Sequence, residues 1–184
     1  MFNLKTVYFY LLAVKIVLVR FLKKIYFRTS YYNKSLKTKL PEQLYFYPNP
    51  FLLSSLVNRK NFSFNFSHIN IDTFWNGKRT IKEEENLNIF FWLNLINRKN
   101  DGLTIRKIIT IWIKNNVKYN KENWNNSFTS KRVLAWILNA DIILNNADRS
   151  YKQLFFNSII TQVNHLKNNL NYENNLIKKI EIIS

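Results

Sequence analysis

The sequence predicts an all-α fold in which antiparallel helix pairs form an incomplete (α/α) toroid. Only 2 of the 184 residues are Gly and 3 are Pro, which leaves little of the turn chemistry that β-rich folds require. Beyond residue 80, apolar residues recur at intervals of three and four, the period of a helix with one buried face. Each predicted helix pair takes about 40 residues, as in helical arrays and toroids. The pairs do not repeat in sequence, so the pattern favours a toroid or an irregular bundle over a regular solenoid.

The first predicted helix covers residues 4–28, an apolar stretch interrupted by Lys15 and Arg20. Its uninterrupted apolar part is shorter than the ~20 residues needed to span a bilayer. The N-terminus resembles a signal peptide, but Lys15 breaks the hydrophobic region and no small-x-small cleavage site follows. We therefore expect an amphipathic helix of a soluble protein, with an interfacial membrane anchor or an uncleaved signal as alternatives.

Residues 29–50 are predicted to be a polar, basic connection that ends in an extended segment at Pro48 and Pro50. In the stretch NFSFNFSHI, Phe alternates with polar residues, which predicts a short strand or extended edge at 61–69. His68 ends this stretch and is expected to be structural. We divide the chain into residues 1–50, an N-terminal helix with its basic connection, and residues 51–184, the helical region.

The helical region begins with a capping box, because Thr80 and Glu83 have the required spacing. The helix predicted from it covers 80–99, and its second half is apolar nearly all round, which indicates a central, buried position. Thr129 or Ser130 is suited to cap a later helix, and Asp148 another. The remaining predicted helices span about 103–117, 130–146, 148–170 and 173–184.

Composition excludes several classes of site. The chain has no Cys and 2 His, so disulfides, thiolate metal sites and Cys nucleophiles are excluded, and we expect no metal and no cofactor. Gly-rich phosphate loops, Gly-x-Ser-x-Gly and His-Glu-x-x-His are absent, and the Glu residues at 83–85 suit a helix N-terminus. The sequence leaves open the oligomeric state and the compartment, the periplasm or the cytoplasm of a bacterium.

The net charge of +17 attracts polyanions, namely nucleic acid, anionic lipid or acidic polysaccharide. Abundant Lys, Asn and Ile, whose codons are A/T-rich, explain the charge equally well as compositional drift. A basic helical module that binds nucleic acid is therefore one alternative function, although Lys and Arg are spread along the chain. A protein that associates with a membrane surface through residues 4–28 is another.

The stretch KENWNNSFTSKRVLAWILNA carries the candidate binding residues. Arg132 is predicted in the first turn of a helix, where a cation opposes the helix dipole and needs an anionic partner. Trp136 lies one turn further on the same face and offers a stacking surface, so the pair suits the floor of a sugar-acid site. The alternative is that Trp136 belongs to the core and Arg132 pairs with a structural carboxylate.

Four segments in order resemble the N-terminal region of the heparinase II/III family of polysaccharide lyases, from about residue 70 to the end. The segments are NLNIFFWLNLINR, ITIWIKNN, WNNSFTSKRVLAWI and QVNHLKNNLNYE. The matching positions are Leu87 to Leu93, Trp112, Ile113, Trp124, Ser130, Arg132, Trp136, Ile137, Gln162, His165 and Leu166. The polar residues of the family's first motif are replaced here by Ile89, Phe90 and Phe91, and an Asn of the third by Ala135.

The resemblance implies a helical toroid whose cleft receives an acidic polysaccharide, and β-elimination at a uronic acid by Asn, Tyr and His groups. It implies Arg132, Trp136 and Trp124 as a cleft-facing, substrate-binding wall. Asn164 and His165 are weak catalytic candidates, because their place in the order matches a helix that precedes the family's catalytic segment. We therefore expect an N-terminal domain or fragment of such a lyase, truncated at its C-terminus and inactive by itself.

Overall fold

The computed structural model describes residues 4–39, 41, 71, 74–96, 102–170 and 179. All regular structure in these residues is helical, which confirms the all-α class, while the toroid remains a prediction. The helices are α1 (Leu4–Arg28), α2 (Ser30–Ser35), α3 (Ile81–Asn88), a 3₁₀ helix (Phe91–Leu95), α4 (Gly102–Asn115), α5 (Asn126–Leu138), α6 (Ala140–Leu144) and α7 (Arg149–Leu170). The predicted strand at 61–69 with His68, the extended segment before Pro50 and most of the helix at 173–184 lie outside the described residues.

Helix α3 begins as predicted but is less than half as long, with 8 residues. The Thr80–Glu83 capping box is present, yet the helix ends at Asn88, and Phe90 adopts a left-handed conformation with φ of 60°. Such a backbone costs an aromatic residue about 1–2 kcal/mol. Complete burial of the Phe90 ring against Trp92 and Trp136, with centroid distances of 5.5 and 5.2 Å, offsets this cost. The single helix predicted over 80–99 was therefore wrong.

Helix α5 begins earlier and ends earlier than predicted. Asn125 caps it, its side chain accepting a hydrogen bond from the Phe128 amide at 2.9 Å, so Thr129 and Ser130 lie inside the helix. Arg132 is consequently in the second turn, and the predicted conflict with the helix dipole does not arise. After Leu138 the chain continues as the separate short helix α6.

Helices α4 and α7 match their predictions closely. The α4 face predicted from its apolar spacing is buried and comprises Ile105, Ile108, Ile109, Trp112 and Ile113. Asp148 precedes α7, and its carboxylate accepts bonds from the Tyr151 amide at 2.7 Å and the Ser150 hydroxyl at 2.6 Å.

The main hydrophobic core lies where α4, α5 and α6 meet α7 and the 3₁₀ helix. A second, smaller cluster contains Tyr32, Leu36 and Trp124, with Phe27 and Tyr119 packed against it. It joins α2 to the loop after α4 and to α7. The Asn164 amide, on α7, also donates to the Leu36 carbonyl oxygen at 2.8 Å. These contacts join residues on the two sides of the predicted domain boundary at residue 50. The boundary itself remains a prediction.

Helix α2 lies in the segment predicted to be a connection. Its cap is local, because the Thr29 hydroxyl accepts a hydrogen bond from the Tyr32 amide at 3.1 Å. The tertiary contacts of Tyr32 and Leu36 then hold a helix too short to be stable alone. Residues 30–35 of the predicted polar, basic connection therefore form a helix.

Helix α1 differs from the others because none of its 25 residues is buried. Its contacts are made mainly with α2 and through its last turns, where Phe27 packs on Tyr32 and Tyr119. No helix in the described ranges combines the length and apolarity needed to cross a bilayer.

Candidate functional site

Arg132 is completely buried and is the meeting point of the main helices. Its Nε donates to Gln162 Oε1 on α7 at 2.6 Å, and one terminal nitrogen donates to the Asn88 carbonyl oxygen at 3.2 Å. The other terminal nitrogen donates to the Thr129 hydroxyl at 3.2 Å. The guanidinium lies over the Trp112 ring, 4.1 Å from its centroid. Groups from four segments of the chain, at Asn88, Trp112, Thr129 and Gln162, therefore converge on this one side chain.

The partners of Arg132 carry no charge. An amide oxygen, a carbonyl oxygen, a hydroxyl and an indole ring replace the carboxylate expected from the sequence. Burial lowers the pKa of Arg132 to about 9, so the guanidinium still carries its charge at neutral pH. With no exposed surface, it acts here as an internal junction between helices.

The three predicted wall residues do not form one surface. Trp136 is completely buried in the main core against Phe90 and Phe155, and its indole N–H has no hydrogen-bond partner among the described residues. Trp124 is 2% exposed and belongs to the second cluster. Neither Arg132 nor Trp136 reaches solvent in this structure, and a substrate-binding role for the three residues remains a prediction.

His165 lies in the second cluster and uses both ring nitrogens. Nε2 is 2.9 Å from the Trp124 carbonyl oxygen, which only accepts, so this nitrogen carries the proton. Nδ1 then accepts from the Tyr32 hydroxyl at 2.6 Å. Burial lowers the pKa of His165 to about 4, and the same cause raises the pKa of Tyr32 well above its usual range. The imidazole is therefore neutral and internally bonded.

Asn164 donates from its amide to the Leu36 carbonyl oxygen at 2.8 Å and to the Thr38 hydroxyl at 3.2 Å. Both weak catalytic candidates, Asn164 and His165, therefore link α2 to α7 through hydrogen bonds. A catalytic role for them remains a prediction. Tyr32, the partner of His165, follows Thr29 by three residues, and the Thr29 cap is the local signal in the sequence for the helix that positions it.

A cleft of 600 Å³ opens between α2, the loop after α4 and the middle of α7, and we call it the basic cleft. Four cations line it, and none of the described lining residues is acidic. The cations are Arg28, Lys34, Lys37 and Lys118. The other lining residues are Ser30, Asn33, Ile113, Asn116, Val117, Trp124, Leu154, Asn157, Ser158 and Thr161. The basic cleft thus combines positive charge, amide and hydroxyl groups, and an apolar wall that includes Trp124.

Trp124 also lines the basic cleft, but its indole N–H is buried and has no hydrogen-bond partner among the described residues. A buried donor without an acceptor costs about 1–3 kcal/mol.

A second cleft, of 820 Å³, has mixed charge. Glu84, Glu85 and Glu122 line it together with the cations Arg79 and Lys121. Several Asn residues also line it, and some are bonded to one another. Asn116 Oδ1, for example, accepts from the amides of Asn120 and Asn123 at 2.9 Å each. Its carboxylates make this cleft less suited to an anionic polymer than the basic cleft.

No protein-family model, no curated protein and no solved structure matches the chain. Within the described residues, no group of three or more His, Asp or Glu side chains is placed to hold a metal ion.

Proposed function

We propose that the chain binds an acidic, uronic-acid-containing polysaccharide in the basic cleft. The observation that carries the proposal is the gathering of four cations around a cleft that has no acidic residue in its described lining. Lysine and arginine side chains form charge-assisted hydrogen bonds with carboxylates and sulfates. Each residue of an acidic polysaccharide presents such a group together with hydroxyls.

The neutral side chains of the basic cleft support a sugar ligand. Asn33, Asn157 and Thr161 offer amide and hydroxyl groups suited to sugar hydroxyls. A nucleic acid would instead favour aromatic side chains on which successive bases stack. Trp124 is the aromatic residue of the described lining, and at 2% exposure it presents no stacking face.

We further propose, from the resemblance to heparinase II/III proteins, that these helices belong to an (α/α) toroid that serves β-elimination. The chain by itself is expected to have no lyase activity. His165 is the histidine that falls within the described residues, and both of its ring nitrogens are hydrogen-bonded inside the protein. The assay is ultraviolet absorbance of the unsaturated uronic product. Product formation that survives a His165→Gln change would place the catalytic groups elsewhere in this chain.

Calorimetric titration with polygalacturonate oligosaccharides, and with neutral dextran oligosaccharides for comparison, tests the binding site. The cleft variant is Lys34→Gln, Lys37→Gln, Lys118→Gln, and the matched control is Lys107→Gln, Lys152→Gln, Lys167→Gln. All six lysines are exposed, so both variants lose three charges without disturbing the core. We expect the cleft variant to bind the acidic ligand about tenfold more weakly, at up to ~1 kcal/mol for each exposed contact.

The control variant is expected to stay within about twofold of the unmodified protein, because none of its three lysines lines the basic cleft. Equal losses in both variants would mean that the field of the whole protein, rather than the basic cleft, attracts the ligand. An oligonucleotide that binds more tightly than the uronic oligosaccharide, through the same three lysines, would favour the nucleic-acid alternative.

A further inference from the structure

Helix α1 carries an exposed apolar stripe along its whole length, about 37 Å at 1.5 Å per residue. The stripe residues follow one another at steps of three and four, so they share one side of the helix. They are Leu4, Val7, Leu11, Val14, Leu18, Phe21 and Ile25, and each is between 44% and 88% exposed. Soluble proteins rarely leave a contiguous surface of this kind in water.

The basic residues of α1 are Lys5, Lys15, Arg20, Lys23, Lys24 and Arg28, and the helix contains no acidic residue. Arg28 continues the spacing of the stripe at the last residue of the helix, and the other five fall outside that spacing. Most of them are in its last nine residues. There Arg20, Lys24 and Arg28 line a cleft of 520 Å³ together with Lys121 and the aromatic Tyr119. The helix is therefore apolar along one side and strongly cationic at its C-terminal end.

The apolar surface extends beyond the stripe. Phe9, Leu12, Ile16 and Val19 lie on other sides of α1 and are 40% to 64% exposed. A single partner helix would cover the stripe but leave these side chains in water. A lipid surface surrounds an embedded helix on several sides and carries the anionic headgroups that complement its cations.

We propose that α1 is a membrane-docking helix that lies in the surface of an anionic lipid bilayer. The stripe enters the acyl boundary, and the cationic end contacts the headgroups. Arg28, at the end of α1, also lines the basic cleft, whose other cations, Lys34, Lys37 and Lys118, are not on α1.

Flotation of the full chain with vesicles tests this docking. The vesicles are phosphatidylcholine alone, or phosphatidylcholine with phosphatidylglycerol. The stripe variant Leu11→Gln, Leu18→Gln has a matched control, Ile81→Gln, Leu103→Gln, in which two exposed apolar residues outside α1 are changed. None of the four residues is buried, so we expect both variants to keep the core, which circular dichroism checks.

We expect the unmodified chain to float with the anionic vesicles. The stripe variant should bind them at least about tenfold more weakly, since it loses two buried leucines, and its control by about threefold or less. The charge variant Arg20→Gln, Lys24→Gln should lose about tenfold, specifically for anionic vesicles.

Three outcomes would overturn the docking. The first is that the unmodified chain does not float with the anionic vesicles. The second is that the stripe variant and its control lose vesicle binding equally. The third is that the chain does not float but forms dimers in sedimentation experiments, and that these dimers depend on the stripe. The last would mean that a second copy covers the stripe. These readouts are independent of the polysaccharide proposal, because the three lysines changed in the basic cleft are not on α1.

Discussion

Protonation of His165 should destabilise the fold over a defined pH range. The imidazole is 1% exposed, and burial lowers its pKa from 6.5 to about 4. Between these values the unfolded chain binds a proton at this position and the folded chain does not. The free energy of unfolding must therefore fall as the pH is lowered from 6.5 to about 4.

The size of the effect follows from the same pKa values. Each tenfold rise in proton concentration across this range costs about 1.4 kcal/mol, so the full penalty is about 3 kcal/mol. Hydrogen bonds at their helix N-termini lower the pKa of Glu83 from 4.5 and that of Asp148 from 3.8, so the stability that these carboxylates contribute is lost only as the pH falls below about those values.

Urea unfolding, followed by tryptophan fluorescence from neutral pH to about pH 4, measures the penalty. His165→Gln replaces the imidazole ring with an amide, which does not titrate. We therefore expect the free energy of unfolding of this variant to depend much less on pH over this range. His68→Gln is the matched control, because it removes the other histidine of the chain. If H165Q and the unmodified protein lose stability in parallel, the imidazole is not held neutral and the reasoning fails.

Two further predictions concern stability and are measured as urea midpoints. Arg132→Met should cost about 1–3 kcal/mol, because the Gln162 and Asn88 oxygens lose their donor inside the core, whereas the exposed control Arg149→Met should stay within about 0.5 kcal/mol. A small loss for R132M would mean that the guanidinium contributes little as a junction. Asn125→Ala should cost about 1 kcal/mol by removing the α5 cap, and an unchanged midpoint would place the cap elsewhere.

Short-range sequence patterns predicted the elements that depend on interactions between residues close together in the chain. The apolar spacing of α4 gave its buried face, and the Thr80 and Asp148 caps gave two helix starts. The break at Phe90 could not be predicted, because residues 87–96 are apolar on all sides and contain neither Gly nor Pro. It depends on how four aromatic rings from distant segments pack together.

The candidate sites depend on contacts that are distant in sequence. The spacing around Arg132 indicated that the cation needs a partner, but Gln162 lies 30 residues away and is uncharged. The basic cleft was not predicted, because its lysines are far apart in the sequence. Lys118 comes into one cleft with Lys34 and Lys37 only because α2 packs beside α7. Charge dispersed in sequence is therefore weak evidence against a localised binding surface.

Arg132 is a buried cation whose hydrogen-bond acceptors come from several segments of the chain. This arrangement affects how the chain folds. A half-assembled form that encloses Arg132 without the Gln162 amide, or without the backbone oxygen of Asn88, leaves the guanidinium dehydrated and underbonded. Such intermediates lie high in free energy, so the segments gain most by assembling together. We expect amide hydrogen exchange to protect α5 and the neighbouring turns of α7 as one cooperative unit.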